Sequence, residues 1–285
     1  MAKAESASER PLLVVDGDSL AHRAYHGVPK SVRRAGGKAG NAILGLTNYL
    51  VRLVEAERPR AVFIGWDKLS EANWRAKELD GYQGGRIFDP EIVEQLDVLP
   101  AFMAGFGFVS SKGEGYEADD YVASAASAEE KRGGTALVAS GDRDMYQLAS
   151  GAITILQPVK VGEIARIDPA GVVERYGVLP EQVPDFIALR GDPSDKIAGA
   201  KGVGTVTAAS LLKKYGTLEA ALADGKFASE AEALRLYRRI ATMVREVKLP
   251  KIPTKAPDWA SGAKLARAWE LNGLADRLEK LAAAG

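Results

Sequence analysis

Apolar and polar positions alternate in blocks along this 285-residue chain, and the blocks repeat a rhythm of strand, turn and helix. Pro11 to Val15 is a short apolar, β-branched run ending in Asp16-Gly17-Asp18, and Ser19 can cap the helical stretch that follows. Asn41 to Glu57 carries Ile43, Leu46, Leu50, Leu53 and Val54 at helical spacing, and Arg60 to Trp66 is a second apolar strand, ending in Asp67. Asp89-Pro90 opens another helix through Ile92, Leu96 and Leu99, and Phe106 to Ser110 reads as a strand. Thr135 to Ala139 repeats the strand pattern and runs into Ser140-Gly141-Asp142-Arg143-Asp144; Ala152 to Leu156 is a further strand, followed by a hairpin-like segment to Ile167. This alternation predicts an α/β fold, a central, mostly parallel twisted sheet flanked by helices. Ligands of such sheets bind at the carboxyl ends of the strands, where Asp16, Asp67, Asp142 and Asp144 would stand.

The texture changes near Asp168-Pro169, which caps a helix and opens a region of short helices without strands. The expected organisation is a flexible leader over 1–10, an α/β domain over 11–167 and a helical domain over 168–285. In the last, Pro184 to Arg190 is helical and delivers Gly191-Asp192-Pro193-Ser194-Asp195. Lys201-Gly202-Val203-Gly204-Thr205 follows, a glycine-bounded turn running into a helix that carries Lys213 and Lys214. Such a turn offers backbone N–H groups to a phosphate. Ala263 to Ala283 reads as terminal packing helices.

Composition narrows the chemistry. With no cysteine and two histidines, neither a disulfide framework nor a thiolate site exists, and any metal is held by oxygen, which suits Mg²⁺ or Mn²⁺. The polar leader is no signal peptide and no run spans a membrane, so the expected location is cytoplasmic. Formal net charge is zero, yet Lys196 to Lys251 holds 11 basic against 5 acidic residues, and Lys112 to Gln147 holds 4 against 8. An acidic pocket beside a basic arm fits a metal-dependent enzyme acting on a polyanion.

Glu117, Asp119 and Asp120 crowd three carboxylates into four positions at a helix start. Capping accounts for one or two of them; a third close by raises the pKa of its neighbours unless a cation sits among them. Between Asp67 and Asp89, Trp74 and Tyr82 are interleaved with Lys68, Arg75, Lys77 and Arg86, a combination suited to stacking bases while neutralising phosphates.

Taken in order, Val15 to Leu20, Tyr116 to Asp120, Ser140 to Asp144, and Gly-Asp-Pro-Ser-Asp with the Gly-Val-Gly turn resemble the 5′-nuclease family. That family comprises flap endonucleases and the 5′-3′ exonuclease domain of DNA polymerase I. The resemblance implies a PIN-like α/β domain, a helical arch over 68–88 and a helix-three-turn-helix near 184–215 that grips duplex DNA and, in relatives, a K⁺ ion. It places Asp16, Asp67, Glu117, Asp119, Asp120, Asp142, Asp144, Asp192 and Asp195 on the metal-binding positions, and Arg75, Lys77, Tyr82 and Arg86 in the arch. It implies a stand-alone, monomeric enzyme cutting DNA at 5′ flaps, nicks, gaps or free 5′ ends, including RNA–DNA hybrids, in repair and primer removal. Two departures stand out: Gln83 where the family has lysine, and Lys196 within Ser194-Asp195-Lys196-Ile197-Ala198-Gly199. Two other readings are a haloacid-dehalogenase-like phosphatase with Asp16 as nucleophile, and a non-catalytic DNA-junction binder.

Overall fold

A computed structural model describes residues 10–71, 73–113, 115–160 and 162–284. The leader expected over 1–10 lies, except for Arg10, outside the described residues. In chain order the elements are β1 (Leu12–Asp16), α1 (Gly17–Gly27), β2 (Arg33–Arg34), β3 (Lys38–Ala39), α2 (Asn41–Glu57), β4 (Ala61–Trp66) and α3 (Trp74–Glu78). Next come α4 (Pro90–Ala104), β5 (Val109–Lys112), α5 (Ala118–Lys131), β6 (Ala136–Ala139), β7 (Ile153–Lys160) and β8 (Glu163–Ile167). The remainder is helical: α6 (Pro169–Tyr176), α7 (Val183–Arg190), α8 (Thr205–Tyr215), α9 (Leu218–Ala223), α10 (Ala231–Ala241), α11 (Trp259–Ala268) and α12 (Asn272–Ala284).

Six strands form one sheet in the order β5-β4-β1-β6-β7-β8, parallel except for the β7–β8 hairpin. Register sets Asp16 beside Gly65 and Val15 beside Ala139, so the ends of β1, β4 and β6 are level and their following acids share one edge. The period of two sorts the strands between two cores. Leu12, Val14, Phe63 and Val138 face α5 and the helical region, while Leu13, Val15, Ile64 and Leu137 face α1, α2 and α4.

Gly65 brings α5 onto the sheet: a Cβ there would stand 2.6 Å from the Ala118 carbonyl oxygen, at the first turn of α5. Only a residue without a side chain lets the helix N-terminus settle against β4, level with the acidic edge.

Three features differ from expectation. The fifth strand starts at Val109, because Gly107 takes φ +76° and turns Phe106 and Phe108 into the second core. The two-residue pair β2–β3 is too short to leave a periodic trace. And α11 and α12 do not pack with the preceding helices alone: Leu274, Ala275 and Leu278 join the second core, Trp259 packs edge-on against Phe106, and Trp269 packs on Phe102 with ring centres 4.7 Å apart. The chain returns at its end to the layer in which it began. Leu278→Ala is therefore expected to cost the whole α/β body about 2–5 kcal/mol. Urea unfolding followed by tryptophan fluorescence checks this, as a shift of one cooperative transition and not the loss of a separate phase.

Candidate metal centre

Helix N-termini hold the acids in place. Asp16 caps α1, accepting from the Ser19 N–H at 3.0 Å, while its other oxygen accepts from the Ser140 hydroxyl at 2.6 Å. Asp18 accepts from the Asp67 N–H at 2.7 Å, and Asp67 accepts from the Ala118 N–H at 2.6 Å, which ties β4 to the start of α5. Asp142 accepts from the Asp144 N–H at 2.8 Å, and Asp192 from the Ser194 N–H and hydroxyl at 2.8 and 2.5 Å.

A cavity of about 520 Å³ opens at this edge, lined by Asp16, Asp18, Asp67, Glu117, Asp119, Asp142 and Asp195. Asp144 and Asp192 are not among its lining residues, yet Asp192 adds to the rise of both Asp142 and Asp144. Asp120 faces away. Its two oxygens take the Arg75 guanidinium at 2.7 and 2.8 Å, the Val244 N–H at 2.8 Å and the Glu117 N–H at 3.3 Å. Asp18 is an addition: the Asp-Gly-Asp doublet was the signal for it.

Burial pushes Asp16 up to about 7, with Asp142 and Asp67 adding to the rise. It pushes Glu117 up to about 7 as well, against the pull of Arg75. Burial, then Asp16 and Asp142, lift Asp119 well above the carboxylate range. Such a set resists ionisation in the absence of a cation, and an all-oxygen donor set suits a hard divalent ion. Among the described residues no three carboxylates are already drawn together as a ligand set. The cavity fits ions that keep part of their water shell.

The segment expected as an arch holds one short helix, α3, capped by Asn73, and then turns down over the cavity. Arg75 is 3% exposed; besides Asp120 it donates to Glu117 at 2.8 Å and to the Ile240 and Thr242 carbonyls at 2.8 and 3.3 Å. It is a tether between α3, α5 and the end of α10. Tyr82 has its ring in the first core and its hydroxyl donates to Glu117 at 3.1 Å. The Gln83 amide donates to Glu117 and Asp195 at 3.1 Å each, and Arg86 to Asp195 at 2.9 Å. Lys77 is exposed and off the cavity wall, so Arg86 and Lys68 are the arch cations that line it. Gln83 and Lys196, the two departures, both take positive φ, +50° and +61°, a region L side chains adopt at some cost. Gln83 meets the residue before Lys196: its N–H points at the Asp195 carbonyl at 3.4 Å.

Beyond Asp195 the chain folds back by an Asp192–Ile197 bridge, and a Cβ on Gly199 would stand 2.5 Å from the Gly191 nitrogen. That close approach presents Lys201, Gly202, Val203, Gly204 and Thr205 as an outer turn leading into α8. The side chains of Lys201, Lys213 and Lys214 are exposed, and the Lys201 N–H is engaged by Glu230 at 2.9 Å.

The raised carboxyls set a pH dependence. Folded, Asp16 and Glu117 hold protons up to about 7, against ordinary values of 3.8 and 4.5. The folded state therefore binds more protons between those limits, and stability falls as pH rises through them. In EDTA, Tm is expected to drop from about pH 5 to about pH 8, and saturating Mg²⁺ is expected to remove most of that drop. Calorimetry across the range checks both; a rising Tm in EDTA would contradict them.

Known proteins match this arrangement. The family model for the 5′-3′ exonuclease N-terminal resolvase-like domain covers residues 11–177, and that for the 5′-3′ exonuclease C-terminal SAM fold covers 178–260. A DNA polymerase I of Mycobacterium tuberculosis is 36% identical over 264 residues, 88% of this chain and 29% of its own length, so this chain spans under a third of that relative. A 5′-3′ exonuclease of Streptomyces coelicolor is 32% identical over 298 residues, 93% of this chain and 98% of its own. The fold is that of the phage T5 5′-exonuclease solved with bound zinc ions (TM-score 0.67, 17% identity, 96% and 100% of the two chains). The Rad2 catalytic core solved with a DNA substrate is similar (TM-score 0.59, 15% identity, 95% and 92% covered). With both its domains matched and a relative aligned almost end to end, the chain belongs to the 5′-3′ exonuclease family.

Proposed function

We propose that this chain is a divalent-metal-dependent 5′-3′ exonuclease and flap endonuclease that hydrolyses DNA phosphodiesters. The observation that carries the reading is the single cavity into which acids from β1, β4, α5, the β6 turn and the α7–α8 connection converge, with Arg86 at its mouth. The name of the Streptomyces relative and the metal and DNA in the structures of fold relatives support it.

Glu117, Asp119 and Asp142 would hold one ion, and Asp144, Asp192 and Asp195 a second, with Asp16 and Asp67 acting through water. Mg²⁺ or Mn²⁺ there would supply Lewis acidity toward the scissile phosphate and a nucleophile from bound water. Asp120 is left to Arg75, and the pair holds Glu117 at the start of α5. Arg86 releases Asp195 to meet the phosphate, and Tyr82 keeps Glu117 oriented. The turn Lys201 to Thr205 with Lys213 and Lys214 takes the duplex backbone, and a K⁺ ion at that turn belongs to the same reading. The substrates are DNA with a 5′ flap, nick, gap or free 5′ end, and RNA primers paired to DNA. The setting is repair and replication by a cytoplasmic monomer; among the described residues no helix is long and apolar enough to cross a membrane. The phosphatase reading needs Asp16 as a free nucleophile, and both its oxygens are already engaged.

An end-labelled 5′-flap substrate tests the proposal. Cleavage requires Mg²⁺ or Mn²⁺, is lost in Asp119→Asn, and slows about 10–100-fold in Arg86→Ala under single turnover. Tight flap binding with no metal-dependent cut would replace the enzyme with a junction binder. For the basic turn, Lys201→Ala is expected to weaken duplex binding regardless of sequence and to lower the slope of log K against log salt by about one unit. Fluorescence anisotropy over a salt series reads it.

A further inference from the structure

On the other side of α1 lies a second cavity, of about 870 Å³, between α1, α2 and the β7–β8 hairpin. Ser19 and His22 of α1 line the acidic cavity, while Leu20 and Arg23 line this one, so the helix is a wall between two sites of opposite character. Leu20, Leu53, Pro158 and Ile164 give it an apolar lining. Tyr49 also lines it, with its hydroxyl buried and without a hydrogen-bond partner. Burial pushes that hydroxyl up to about 12, so at neutral pH it is a donor lacking an acceptor.

The lining carries four basic side chains, Arg23, Arg52, Lys160 and Arg166, against two acids, Glu57 and Glu163. Arg52 and Lys160 have no carboxylate partner among the described residues, and Arg23 donates to the Val159 carbonyl at 3.1 Å. Arg166 is matched by Glu57 at 2.6 Å and is not free to serve. None of these groups has a part in metal binding or in the basic turn. An apolar floor alone would suit any greasy molecule, but unpaired guanidinium and ammonium groups above it favour an anion.

We propose that this cavity is a binding site for a small amphiphilic anion. Its apolar body lies against Leu20, Leu53 and Ile164, and its carboxylate, sulfonate or phosphate meets Arg52 and Lys160. The volume is that of sites taking drug-sized molecules, mostly apolar with a few placed polar groups.

8-Anilinonaphthalene-1-sulfonate, titrated into the full chain without DNA or metal, is the probe. Saturable fluorescence with one probe per chain is expected. Arg52→Glu and Ala56→Trp, both on exposed positions of α2 at the rim, are each expected to weaken it by about tenfold or more. The uncharged N-phenyl-1-naphthylamine should bind about tenfold less tightly than the sulfonate. Circular dichroism verifies that the variants fold, and their flap cleavage should equal that of the parent chain. No saturable binding, full affinity in Arg52→Glu, or equal affinity for the uncharged probe would overturn the proposal. Competitive displacement of the probe by duplex DNA would also overturn it, assigning the cavity to the nucleic-acid path.

Discussion

Carboxylates brought together out of water oppose one another, and the architecture around the sheet edge is a solution to that constraint. An isolated buried carboxylate takes up a proton before it ionises, and several side by side do so more readily. Here the opposition is moderated by fixed donors: N–H groups of helix starts and tight turns for Asp16, Asp67 and Asp142, a serine hydroxyl for Asp16, and one guanidinium for Glu117 and Asp120. Helix starts suit this task because their first N–H groups lack partners within the helix and their dipoles favour negative charge. The parallel sheet supplies several such starts along one edge, and Gly65 lets α5 come close enough to contribute.

The acidic edge was legible in the sequence because its signal is local. β1, β4 and β6 are apolar runs that each lead into an acid, and the helix Asn41–Glu57 follows from its spacing alone. Asp120 and Arg75 were not legible in the same way. A carboxylate next to two others reads as one of a set, and an arginine among cations and aromatics reads as a phosphate contact. What separates them from their neighbours is a contact between residues 45 apart, and for Arg75 another 167 apart at Thr242, which no window of sequence displays. The same limit applies to Trp259 and Trp269, whose periodicity says helix but whose ring partners lie in α4 and just beyond it.

The departures at Gln83 and Lys196 gain meaning from their placement. Separated in sequence, both have left-handed backbone, Gln83 bonds to the residue before Lys196, and its amide spans two acids that a lysine in its place would neutralise. A neutral amide satisfies both acceptors by hydrogen bonding while leaving their charge intact, which keeps the demand for cations undiminished.

Arg75 carries a mechanical consequence. One guanidinium is shared by α3, the first turn of α5 and the carbonyls that end α10, and it is buried among them. A planar group held by so many bonds behaves as a rivet: rotation or sliding of α10 pulls on the acids of α5 through it. The position of α10 relative to the acidic edge is thereby built into stiff parts, so that the protein itself serves as the ruler.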